Sequence, residues 1–107
     1  MRLHVQCLHG DTYVPVPFAS FRLKASLGVA NATPGTASTI TIINGSTTIQ
    51  VITLTSIAVG VDVTGVPDAT NGLLECTDGV LKITCASQNS VSFGVTLDID
   101  EFSRSTN

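Results

Sequence analysis

Tryptophan is absent from this chain, tyrosine occurs once, and charged residues make up only 12%, about half the share usual in globular domains. Each shortage excludes something. Without an aromatic platform there is nothing on which a pyranose ring would stack, which argues against a carbohydrate-binding module. Five cations (Arg2, Arg22, Lys24, Lys82 and Arg104) and a net charge of -3 leave no basic footprint for a phosphate backbone, so nucleic acid is not an expected partner. No apolar run approaches the roughly 18 residues of a membrane span, and "MRLHVQCLHG" lacks the apolar core of a signal peptide. A chain made in the cytoplasm, with no membrane partner, is expected. Three cysteines with no C-x-x-C fit neither a disulfide framework nor a zinc knuckle, so Cys7, Cys76 and Cys85 are expected as buried or half-buried thiols. Helical i, i+3, i+4 spacing is sustained nowhere.

What the chain does have is 43% hydrophobic residues and 25 serines and threonines in 107 positions. That length is enough for one core without metal or disulfide support. A surface hydroxylated rather than charged suits either a protein packed against neighbours, because charge is what normally keeps soluble chains apart, or an ordinary β domain with threonine on its exposed strands.

Period-two alternation runs through most of the sequence. In "FRLKASL", Phe21, Leu23, Ala25 and Leu27 fall on one face of a half-buried strand. "ANATPGTA" reads as a loop, and Asn44-Gly45 sits between two β-branched runs as a hairpin turn joining strands at about 38–43 and 47–55. "SIAVGVDVTG" alternates with Val59, Val61 and Val63 on one side. "VPDATNG" and Asp78-Gly79 are turns, the latter followed by a strand carrying Leu81, Ile83 and Cys85 on one face. "VSFGVTLDI" aligns Val91, Phe93, Val95, Leu97 and Ile99. Seven to eight short strands with regular turns predict an all-β fold, a single antiparallel β-sandwich of jelly-roll or immunoglobulin-like type. Residues 1–17 are expected as an N-terminal strand or arm and 18–107 as the sandwich body, one domain overall.

Candidate chemistry concentrates in "HVQCLHGD", His4 to Asp11. Zinc needs three or four converging ligands, but in a strand Val5, Cys7 and His9 face one way and His4, Gln6 and Leu8 the other. Cys7 and His9 share a face, yet no third orienting group or oxyanion hole accompanies them. Asp98, Asp100 and Glu101 lack the spacing of a calcium loop. No catalytic residue, metal site or cofactor is therefore expected, and the chain is not expected to be an enzyme. "YVPVPF" is different: Pro15 and Pro17 hold it extended and remove backbone donors, as in an edge strand that is either covered by another subunit or tucked onto its own core. Leu3, Val5, Tyr13, Val14, Val16 and Phe18 are the candidate contacts.

The order of "FRLKASLGVAN", "ASTITIINGSTTIQVITLTS", "AVGVDVTG", "DGVLKITC" and "VSFGVTLDID" resembles the small head decoration, or cement, proteins that tailed bacteriophages encode beside their major capsid protein. The likeness covers roughly 18–102 and contains no chemical motif. This chain's isoleucine content, three cysteines and "HVQCLHGD" start depart from the family's usual richness in Ala and Gly. The resemblance implies a β-sandwich that binds the outer surface of the phage head and bridges capsomers, with the major capsid protein and sister subunits, as a homotrimer, for partners. Another virion β module (head fibre, neck or tail ornament) and a stand-alone bacterial binding or adhesion domain are the alternatives.

Overall fold

The computed structural model describes residues 2–16, 20–36, 38–54, 59–67, 74–75, 80–87 and 89–101. Among these the chain forms β1 (Arg2–Cys7), β2 (Gly10–Pro15), β3 (Ser20–Ala30), β4 (Thr39–Asn44), β5 (Thr47–Thr53), β6 (Val63–Thr64), β7 (Val66–Pro67), β8 (Leu74–Glu75), β9 (Val80–Ala86) and β10 (Phe93–Glu101), and no helix. Seven of the strands have six residues or more, and β6, β7 and β8 have two each. Phe18, Cys76, the Asp78-Gly79 turn and Phe102 lie outside the described residues.

Every ladder is antiparallel, and the strands build two sheets. One runs β1-β10-β3-β6, with β8 also on β3; the other runs β2-β9-β4-β5-β7. Successive strands change sheet: β1 to β2, β3 to β4, β9 to β10. An immunoglobulin domain would keep its first two strands in one sheet, whereas this alternation is the winding of a jelly roll.

The alternation places the core. Ile40 and Ile42 from β4, Leu81, Ile83 and Cys85 from β9, and Phe93, Val95, Leu97 and Ile99 from β10 are all at most 1% exposed. Burying each large side chain of this kind contributes about 1.5–3 kcal/mol. The hairpin between β4 and β5 turns at Gly45-Ser46, one residue later than the Asn44-Gly45 reading, with Asn44 paired to Thr47. Gly45 takes φ 64, the left-handed value that a two-residue hairpin loop asks of its first central residue.

Two bulges break the alternation. In β3, Asp98 pairs with Ala25 but Ile99 pairs with Leu23, so Lys24 is an extra residue. Leu23 is buried as expected, but beyond the bulge the inward side passes to Ser26, Gly28 and Ala30, leaving Ala25 and Leu27 half-buried on the outside. The expected face of Phe21, Leu23, Ala25 and Leu27 is therefore split, because one added residue reverses every side chain after it. In β5, Ile42 pairs with Gln50 and Ile43 with Thr48; Ile49 is the extra residue, and both Ile49 and Gln50 are buried at 2% exposure.

The bulges bring two polar side chains into the interior. Ser26 Oγ donates to Gln50 Oε1, and Gln50 Nε2 donates to the Leu23 carbonyl at 3.2 Å. Gly65, between β6 and β7, donates its N–H to the Ser26 carbonyl at 2.8 Å as the chain crosses from one sheet to the other. A Cβ on Gly65 would collide with Ser26 Oγ and lie 2.9 Å from Gln50 Oε1, so only glycine fits this crossing.

"SIAVGVDVTG" also departs from its alternating reading. Among its described residues only Val63–Thr64 is a strand; Val59 is 53% and Val61 46% exposed, flanking Gly60 at φ 82. The positive φ at Gly60 breaks an extended run, and the Gly60 N–H donates instead to the Ala30 carbonyl at 3.2 Å.

Candidate functional site

β1 ends one sheet and β2 ends the other, and the corner at Leu8-His9 joins them along the same edge of the sandwich. β1 pairs only with β10, from Arg2 opposite Asp98 to Cys7 opposite Phe93. β2 pairs only with β9, from Gly10 opposite Cys85 to Pro15 opposite Val80. Among the described residues nothing pairs with the outer side of either strand. Each therefore presents a row of backbone donors and acceptors that another strand can continue. Pro15 removes one donor near the end of β2.

The candidate contacts divide by face. Tyr13 points out of β2 and is 62% exposed. Leu3 and Val5 are half-buried and pack against the core from the edge. Val14 and Val16 are 6% exposed and belong to the core of their own sandwich. A contact role for those two valines does not agree with their placement: alternation in β2 turns Val14 inward and Tyr13 outward. Phe18 lies outside the described residues. The sequence reading missed Leu8, which is 72% exposed at the corner because the strand ends at Cys7. The sequence places the turn at Gly10-Asp11, but those two residues open β2 and the corner lies earlier, at Leu8-His9.

The end of β1 at Cys7 also settles the "HVQCLHGD" geometry. His9 is exposed in the corner while Cys7 is buried, so the face they were expected to share does not exist. Among the described residues no three His, Cys, Asp or Glu side chains group as metal ligands do. Cys7 instead lies beside Cys85 of β9 inside the sandwich, and the two neighbouring thiols perturb each other: the Cys85 thiol beside it lowers Cys7, while Cys7 and burial push Cys85 upward.

Behind β1, the outer surface of its sheet carries an open dent of about 230 Å³, lined by His4, Gln6, Val29, Asn31, Gly94 and Thr96 among others. Thr96 Oγ1 and His4 Nδ1 are hydrogen-bonded at 2.8 Å, and Asn31 Nδ2 donates to Gln6 Oε1 at 2.9 Å and Ser92 Oγ at 3.0 Å. These bonds brace β1 from outside. The outer surface of the other sheet is rich in hydroxyls and poor in charge: Thr39, Thr41, Thr53 and Thr84 lie among Tyr13, Ile43, Val51 and Lys82, with Thr84 Oγ1 donating to Asp11 Oδ1 at 2.8 Å.

The arrangement is an open edge of two stacked strands, with a projecting Leu8 and an exposed Tyr13. Compared with known proteins, the chain matches no protein-family model and no curated protein.

Proposed function

We propose that the protein is a virion structural protein, a capsid decoration or cement protein that binds the outer surface of a phage head and bridges capsomers. The observation that carries this reading is the open double edge: two six-residue strands at the same side of the sandwich, each ending its sheet among the described residues. Long open edges invite pairing with another chain, so a protein that keeps them uses them or must blunt them. The low-charge, threonine-rich face adjoining β2 and the projecting Leu8 and Tyr13 support contact with a partner in the same place. Jelly rolls recur in viral capsid proteins, an argument from fold analogy alone.

In this role the protein works by burying area across a seam. DNA packed inside pushes the shell outward, and a clamp spanning a joint raises the cost of parting the subunits. An interface of standard size buries about 1,200–2,000 Å², and many copies on one shell turn a modest contact into mechanical resistance. The partners are the major capsid protein and sister subunits, with a homotrimer as the assembly.

Cosedimentation with empty heads assembled from the capsid protein encoded beside this gene tests the reading. Saturable recovery in the shell pellet is expected, together with a solution mass three times that of the 11.1 kDa chain. A chain that stays in the supernatant with its own shells, or whose gene has no capsid or terminase neighbours, overturns it.

A further inference from the structure

Cys7 closes β1 in one sheet and Cys85 sits near the end of β9 in the other. The corner between them is short: three residues after Cys7, Gly10 is already the ladder partner of Cys85. This turn from sheet to sheet brings two free thiols that are far apart in the chain close together inside the sandwich, at 0% and 1% exposure.

We propose that Cys7 and Cys85 are a disulfide-forming pair, a covalent modification site that locks the edge strand of one sheet to the interior of the other. An S–S bond of about 2.05 Å needs two side chains that face each other at short range, and the pairing of Gly10 with Cys85 only three residues after Cys7, with both thiols in one core cluster, supplies that proximity. The oxidant is a small-molecule disulfide such as oxidised glutathione. Cys7 attacks first, as it lies on the edge strand; it gives its proton to water, its sulfur bonds to one glutathione sulfur, the glutathione S–S bond breaks, and one glutathione thiolate leaves. Cys85 then gives its proton to water and attacks Cys7 Sγ in the mixed disulfide, releasing the second glutathione. Two protein thiols lose two electrons and two protons in total, and the oxidant becomes two glutathione thiols.

Access comes from the edge. β1 is held by one neighbour, so its local opening exposes Cys7 without unfolding the body. The chain is thus reduced while it folds in a reducing compartment and becomes locked in an oxidising one. The link closes most of the chain into one loop, which raises the melting temperature by roughly 10 °C.

The test uses the full chain incubated with oxidised glutathione, then denatured, alkylated and digested for mass spectrometry. A linked peptide pair carrying Cys7 and Cys85, formed faster at higher pH and accompanied by the rise in melting temperature, is expected. Full alkylation of both cysteines, glutathione adducts without the link, or pairing of either one with Cys76 overturns the proposal. A Cys7–Cys85 link that leaves the melting temperature unchanged overturns the locking. No shells enter this experiment, so its failure is separate from failure of the capsid reading.

Discussion

At the N-terminal edge, β1 and β2 are six residues each and every one of those residues is paired with β10 or β9, whereas at the far edge β6, β7 and β8 offer two residues apiece. The chain crosses between sheets at both places. The crossing under the long edge is lined by the Cys7–Cys85 thiol pair, and the one at the short edge by Ser26, Gln50 and Gly65. Short edge strands are one of the ways sheet proteins avoid pairing with strangers. Among the described residues the far edge shows that device and the N-terminal edge does not.

The largest effect should come from the residue on which the long edge rests. Phe93 is fully buried opposite Cys7, and Phe93→Ala should cost about 3–5 kcal/mol in urea unfolding. A loss below about 1 kcal/mol would mean that β1 and its corner are not packed as described. At the short edge, Gly65→Ala should cost about 1–3 kcal/mol by overpacking, and adding Ser26→Ala should recover part of it by removing the colliding hydroxyl. Strictly additive losses would separate the two residues.

Gln50→Ala leaves the Leu23 carbonyl and the Ser26 hydroxyl without their partner, at about 1–3 kcal/mol. The double change Ser26→Ala with Gln50→Leu removes the hydroxyl as well and should unfold at a higher urea concentration than Gln50→Ala alone. Smallest in stability is Tyr13→Glu, expected within about 0.5 kcal/mol of the parent because the ring is largely in water. Its effect belongs to binding: shell affinity should fall by about 5–30-fold, as for an interface aromatic worth about 1–2 kcal/mol. Unchanged affinity would remove Tyr13 from the contact surface.

Much of the fold is legible in the alternation. β9 and β10 bury the residues that their period of two assigns, and the β4–β5 hairpin falls within a residue of its Asn-Gly signal. The alternation of β3 fails beyond Lys24 because a bulge inserts one residue without a sequence mark, and the reversal puts Ser26 where Leu27 was expected. Nothing in the β-branched run marks Gln50 as buried, and its hydrogen bonds to Ser26 and the Leu23 carbonyl account for its place in the interior. The candidate site is legible in part. Tyr13 is exposed as a contact residue must be, but Val14 and Val16 face inward, and Leu8 projects only because the chain turns after Cys7. The approach of Cys7 to Cys85 depends on long-range winding that no local pattern carries.

The open edge as the binding surface is tested most directly by cryo-electron microscopy of empty heads saturated with the protein. The structure predicts density from the capsid or a sister subunit against β1 and β2, with Tyr13 and Leu8 in the interface and the short β6–β7 edge facing solvent. Bound particles that leave β1 and β2 in solvent and use the opposite edge would contradict it.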